Sequence, residues 1–408
     1  MKYIIAILIV LIIILFYNRG DSVFNKIYLD NNGTTELDPE AKKYLINNLD
    51  TGNISASYNK SNIIPDFNNL INQWTNKNYK IIYTSGCSES NNTILNLFNK
   101  IETSSYEHSS LYNKAKQMKC RFIYPDHNGI INPDKIIKTD AELISIMHVN
   151  NEIGSINNIA LLAKLAKLIN PKIYFHTDMA QSFGKIPVDF TYIDSVSASA
   201  HKFNGCLGVG LLLVIPELYN KIQNKPLIHG TQNDFTRGGT INYPAIAASY
   251  IAFKNTIKNR PEKNQDLLNK KRYLINLIIN DYNIGDFKEY YNKPDYYYKP
   301  GQGSEIVFLN SMNPNSLTFS IVKYGELKNH FCNIKLRNDL EEFGIIVSIG
   351  SACHANSREP SHVLTSIRAP FIIRCGIIRI SMSNKTSYND LYNFYKKFKE
   401  LTNKQINE

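Results

Sequence analysis

At 408 residues, with 43% hydrophobic side chains, the chain can hold two domains around a substantial core. A formal net charge of +11 would suit an anionic partner. The lysines are scattered among Asn and Tyr, however, and no basic run alternates with aromatics, which argues against a nucleic-acid surface. The six cysteines lack CxxC spacing, so free thiols in a reducing compartment are a better reading than a zinc site or a disulfide framework.

The first predicted element is the apolar run Tyr3–Tyr17, flanked by Lys2 and Arg19. It is short of the about 20 residues a spanning helix usually needs unless the flanking cations snorkel. A cleaved signal peptide is the rival, but the run is built of Ile and Leu and no small-x-small cleavage site follows. An uncleaved single-pass anchor over residues 1–19 is preferred to a buried helix, because the run is apolar on all faces. It would leave the catalytic part on the reducing, cytoplasmic side.

From about residue 27 the chain alternates strand-like and helical runs. Strands are expected at Lys80–Tyr83, Glu142–Met147, Ile173–His176, Ser195–Ala198 and Val209–Val214, with helices at Ser88–Lys100, Ile159–Ile169 and Tyr243–Lys258. This order predicts an α/β fold with a large, mostly parallel sheet covered by helices, spanning residues 20–258. Residues 259–408 are expected to form a smaller α+β unit. Its Asp281–Gly303 stretch reads as an irregular insertion, followed by strands at Ser316–Ile321, Gly344–Ser348 and Ile377–Ser381 and helices at Glu326–Phe343 and Ser387–Leu401.

Chemistry gathers where ligands bind on such sheets, at the carboxyl ends of strands. Lys202 follows the small-residue run Ser195–Ala200, and Asp178 closes the run Ile173–Thr177. A lysine and a carboxylate so placed suit pyridoxal 5'-phosphate: the amine forms a Schiff base and the carboxylate keeps the ring nitrogen protonated. Cys353, in Gly350-Ser351-Ala352-Cys353-His354, sits among small polar residues that suggest an exposed loop and a thiolate nucleophile. Together the three point to an enzyme that moves sulfur.

Seven motifs occur in an order that resembles the NifS/IscS-like cysteine desulfurases of the class V aminotransferase family. They are Ile27–Thr35 (IYLDNNGTT), Thr84–Asn91 (TSGCSESN), His148–Gly154 (HVNNEIG), His176–Ser182 (HTDMAQS), Ala200–Lys202, Arg237–Thr240 (RGGT) and Gly350–Cys353. The resemblance covers residues 27 to 400 and implies a pyridoxal-phosphate fold type I. It implies that Lys202 carries the cofactor and shuttles a proton, Asp178 pairs with the ring nitrogen, and His108 is a catalytic residue that stacks on the ring and acts in proton transfer. Cys87 and Ser88, at the start of a helix, and Ser199 and His201 would hold the phosphate. Thr240 would reach it from the second subunit of a homodimer. Asn151 and Gln181 would bond the ring hydroxyl, with Asn151 also beside the substrate, and Arg379 would grip the substrate carboxylate. Cys353 would take sulfur from L-cysteine as a persulfide, release L-alanine, and pass the sulfur to an acceptor or iron–sulfur scaffold protein, where it could transiently ligate a cluster. No metal is expected in the cofactor site.

The chain also departs from that pattern. Cys87-Ser88 stands where Ala-Thr is usual, Met179 replaces a small residue and is expected to shift ring packing, and Gly52–Ser55 lacks a Pro and a downstream His of the substrate entry. The competing readings are a selenocysteine lyase or other class V enzyme, and a membrane-tethered scaffold that has lost turnover.

Overall fold

The computed structural model describes residues 26–50, 62–137, 139–309, 311–350 and 361–407. The apolar run at residues 1–19, the entry segment Gly52–Ser55 and Cys353 lie outside them. Among the described residues no helix is long and apolar enough to cross a membrane.

Strand β1 (Ile27–Tyr28) precedes helices α1 (Pro39–Asn47) and α2 (Ile63–Thr75). The large sheet contains β2 (Lys80–Thr84), β3 (Ile101–Ser104), β4 (Arg121–Ile123), β5 (Leu143–Ser145), β6 (Tyr174–Asp178), β7 (Ser195–Ser199) and β8 (Gly210–Val214). Its order is β2-β8-β7-β6-β5-β3-β4, with β8 antiparallel to both neighbours and every other pair parallel. Because β8 reverses twice, β2 runs the same way as β6 and β7, and the carboxyl ends of all three share one edge.

Helices cover both faces, so the strands carry apolar side chains on both. Along β8, Leu211 and Leu213 join one core cluster and Leu212 and Val214 another, which is the period of two expected of a strand. α3 (Cys87–Leu95), α4 (Ser109–Gln117) and α6 (Pro216–Asn224) supply the second cluster, while α2, α5 (Ile159–Ile169) and α7 (Tyr243–Ile257) supply the first. In the first, Trp74 packs edge-on against Phe183, Phe190 and Phe253.

The second unit has a four-stranded sheet, β13-β11-β10-β9, made of β9 (Ile284–Gly285), β10 (Ser304–Phe308), β11 (Ser316–Lys323) and β13 (Ile377–Ser381). Its core is closed by α8 (Arg260–Ile279), α10 (Asn333–Glu342) and α13 (Tyr388–Asn407), while the short helices α9 (Phe287–Tyr290), α11 (His362–Ser366) and α12 (Phe371–Arg374) pack into the first core. β1 belongs here by pairing: it runs parallel to β12 (Ile345–Ile346), Asp30 bridges Ser381, and Leu29 is buried in this core. The N-terminal motif therefore lies on the seam between the two sheets.

Several expected elements are cut short for visible reasons. The helix expected to reach Lys100 ends at Leu95, and the Glu142 carboxylate accepts from the Asn99 and Lys100 amides at 3.0 and 3.1 Å. The helix expected over Glu326–Phe343 is a single 3-10 turn, Leu327–Asn329, and then α10, because the intervening backbone extends to bury Phe331. The expected irregular insertion holds β9 and α9, tied down by Tyr290 and Tyr324 hydroxyls that donate to Glu305.

Gly210, at the start of β8, lets the first strand end come close. A Cβ there would stand 2.3 Å from Thr84 Oγ1 and 2.5 Å from the Gly86 carbonyl carbon. Overpacking against backbone costs about 1–3 kcal/mol. Denaturant unfolding of Gly210→Ala should show a loss in that range, whereas a loss under about 0.5 kcal/mol would mean that the Gly86 turn yields freely.

Candidate active site

Ten residues singled out in the sequence line one cavity of about 400 Å³: Cys87, Ser88, His108, Asn151, Asp178, Gln181, Ser199, His201, Lys202 and Arg379. Thr240 is not among them; it lies exposed on the segment before α7. Met179 is fully buried in the hydrophobic core and Ala180 lines the cavity instead, so the expectation that Met179 alters ring packing is corrected.

The turn after β2 delivers the start of α3. Gly86 is its N-cap and no side chain caps it, so the first-turn amides of α3 are available to an anion at the positive helix end. Behind them Glu89 bonds Arg237 at 2.9 Å and accepts from the Ser85 amide at 2.8 Å. Burial alone would raise the Glu89 carboxyl, yet these partners hold it below its usual range.

Asp178 ends β6. Its Oδ1 accepts from the Ala180 amide at 2.9 Å and its Oδ2 from Asn91 Nδ2 at 2.8 Å. Asn91 also donates to Ser110 Oγ, which bonds His108 Nδ1. Asn91 thus links the carboxylate to the histidine, a role its place inside a helix does not announce. His108 Nδ1 also accepts from the Ser110 amide at 3.2 Å, which leaves Nε2 to carry the proton of the neutral ring.

Past β7 the tight turn Ala200–Lys202 turns Lys202 into the cavity, where its Nζ donates to the Asn32 and Gly33 carbonyls at 2.6 and 2.5 Å. Burial, then the charge of Arg379, pushes this amine down to about 8. His201 Nδ1 bonds Thr34 Oγ1 at 3.0 Å; burial, with Lys202 next, lowers its ring to about 4, so it is neutral. Lys185 donates to the Lys202 carbonyl at 3.1 Å and is itself lowered to about 7 by burial and by Lys202. Neither Lys185 nor the Asn32-Gly33 carbonyls stood out in the sequence, since their part is played through contacts distant along the chain.

Arg379, on β13, is almost wholly buried. It donates to the Asn151 carbonyl at 2.7 Å and pairs with Asp30 at 2.6 Å, while its Nε has no partner among the described residues. Asn151 Oδ1 and Gln181 Oε1 are likewise buried and unpartnered. Such groups are costly unless a ligand completes them. A cavity with a lowered lysine, a strand-end carboxylate, an uncapped helix N-terminus and unpartnered amide ends fits pyridoxal phosphate.

Four of the described thiols are all raised by burial. Burial, then Asp178, raises the Cys87 thiol well above its usual value. Burial also raises Cys120 and Cys206, and takes Cys375 up to about 12.

Residues 27–254 match the family described as aminotransferase class V. A cysteine desulfurase IscS from Dictyoglomus turgidum is 36% identical over 334 residues, covering 77% of this chain and 77% of its own length. One from Clostridium botulinum is 31% identical over 393 residues, covering 90% of this chain and 91% of its own. Among solved structures, a NifS-like protein from Rickettsia africae is similar at TM-score 0.76 and 25% identity, over 93% of this chain and 99% of that one.

A lysine needs its neutral form to attack a carbonyl, and an ordinary exposed one is neutral only above about 10.4. Borohydride trapping of pyridoxal phosphate on the cofactor-free chain should therefore rise as pH climbs through about 8. The trapped peptide should contain Lys202, and Lys202→Ala should abolish it. A midpoint near 10, or trapping on another lysine, would refute the assignment of Lys202.

Proposed function

The chain belongs to the class V aminotransferase family, and we propose that it converts L-cysteine to L-alanine as a pyridoxal-phosphate-dependent cysteine desulfurase that keeps the sulfur on Cys353. The observation that carries this reading is the convergence of Lys202, Asp178 and Arg379 on one cavity. Pyridoxal phosphate, when bound, supplies an electron sink for the bonds at the substrate's α carbon.

The residues then divide the work. Lys202 holds the cofactor and moves the proton at the substrate α carbon, a task suited to an amine brought down to about 8. Asp178, held in place by Asn91 and the Ala180 amide, would pair with the ring nitrogen. The amides at the start of α3, with Ser88, Ser199 and neutral His201, receive the phosphate. Asn151 and Gln181 would bond the ring hydroxyl, His108 would hold the ring and serve in proton transfer, and the Arg379 fork would receive the substrate carboxylate.

Sulfur transfer needs a thiolate. The Cys353 thiolate attacks the substrate sulfur, the carbon–sulfur bond breaks, and its electrons stay with the substrate carbon, which takes up a proton. The balance is L-cysteine plus a thiol giving L-alanine plus a persulfide. Cys87 is the rival inside the cavity, but its raised thiol disfavours the thiolate. The persulfide then passes to an acceptor such as an iron–sulfur scaffold protein.

The active unit is a homodimer in which Thr240 completes the phosphate site of the other subunit. Support comes from the exposed apolar residues Leu227, Ile228 and Phe235 on the segment that leads to Thr240. Residues 1–19 tether it to a membrane.

Cys353→Ala should keep bound cofactor yet release alanine slower by orders of magnitude, with no protein persulfide by mass spectrometry. A persulfide on Cys87, or alanine release at the parent rate, would sink the mechanism. Deleting residues 1–19 should give a protein that no longer sediments with membranes and binds cofactor as before. Loss of cofactor binding on truncation would place that segment in the core instead.

A further inference from the structure

Arg379 already has a carboxylate. Asp30 Oδ1 stands 2.6 Å from Nη2, and the Asn151 carbonyl accepts from Nη1, leaving Nε without a partner among the described residues. The turn that carries Asp30 is built around this contact. The Asp30 carbonyl accepts from the Gly33 amide at 3.0 Å, the Thr34 amide at 3.3 Å and the Tyr28 hydroxyl at 3.0 Å. Residue 33 is a glycine for a steric reason, since a Cβ there would lie 2.4 Å from Asp30 Oδ2. The same turn presents the Asn32 and Gly33 carbonyls to Lys202. One turn thus holds both the amine and the guanidinium of the site.

We propose that Asp30 is a positioning residue that serves as an internal stand-in for the substrate carboxylate, keeping Arg379 ordered between turnovers and setting how strongly the site takes an α-carboxylate. The inference rests on the reading of Arg379 as the carboxylate ligand. A buried guanidinium without a counter-ion is costly, so a partner is needed whenever substrate is absent. That partner has the chemistry of the ligand itself. An arriving carboxylate can take Nε and share or displace the Nη2 contact, but it then faces a second negative charge across one cation. Asp30 therefore lowers the affinity for every ligand bearing that carboxylate, and by the same amount in ground and transition states.

The test uses the holoenzyme and two small probes read by the absorbance of the bound cofactor: L-alanine, which carries the carboxylate, and cysteamine, which has the thiol and amine but no carboxylate. Asp30→Asn should bind L-alanine about tenfold more tightly, the scale of one close like-charge pair removed, and leave cysteamine within about twofold. With L-cysteine the change should fall on KM rather than on kcat, as for an interaction made equally in both states. Asp30→Ser, which also removes the charge, should behave alike and replaces the amide variant if that one fails to fold. Tightening toward both probes alike would overturn the proposal, as would weaker or unaltered L-alanine binding. If the parent holoenzyme does not distinguish the two probes, the reading of Arg379 fails with it. Loss of cofactor from both variants would make Asp30 a structural residue and end the proposal too.

Discussion

Everything in the cavity is arranged around a cation kept out of water. Lys202 loses hydration at the end of β7 and recovers part of it from two backbone carbonyls, Asn32 and Gly33, that lie 170 and 169 residues earlier in the chain. Those carbonyls can be there only because β1 docks beside β12 and carries the turn after it across the seam. The amine is left partly neutralised at physiological pH, its proton held by acceptors that a carbonyl-bearing cofactor can displace. Burial without a full counter-charge is what makes this lysine reactive, whereas most lysines in the chain are solvated and inert.

Around Lys202 the buried side chains are kept neutral or paired. His201 and His176 are both lowered to about 4, chiefly by burial, and His176 is bonded on both ring nitrogens by Ser145 and Ser197. Glu107 is raised to about 8 by burial and accepts from Ser104 and the Met147 amide, so it adds no full negative charge next to His108 at neutral pH. Asp178 is the carboxylate that faces the cavity with donors on both oxygens, which suits a group that must meet a protonated ring nitrogen. Polar groups also line the strands behind the site, where Ser145, His176 and Ser197 satisfy one another.

What could be read in the sequence follows from how local each signal is. The helix Ile159–Ile169 and the strand Ile377–Ser381 fall on their expected bounds because their apolar residues repeat at a single period. α8 escaped notice: its first turn contains Pro261 and its faces are mixed, so no clean stripe appears although Leu267, Leu274 and Ile278 are buried. α2 is a different case, since Ile63, Ile64, Phe67, Leu70, Ile71 and Trp74 do repeat at helical spacing, so this helix was legible in principle. Lys202, Asp178 and Arg379 were legible from their motifs. Asn91, Asp30 and Gly210 were not, because each acts only through a residue far along the chain, and a glycine needed for close approach looks in sequence like any turn glycine.

The seam between the two units explains why the site has no single owner. Arg379 lies on a strand of the second sheet, Lys202 and Asp178 on the first, and the turn Asp30–Gly33 touches both sets while paired by backbone to the second. Displacing β1 would remove the Lys202 acceptors and the Arg379 counter-ion together. The Lys202 amine and the Arg379 guanidinium are therefore coupled through one short stretch of backbone, with no need for a relay through the core. The Ser361 hydroxyl, which caps α11, donates to Glu152 at 2.6 Å, one residue from Asn151 and its contact with Arg379. The described chain that resumes at Ser361 is thus fastened to the same seam as Arg379.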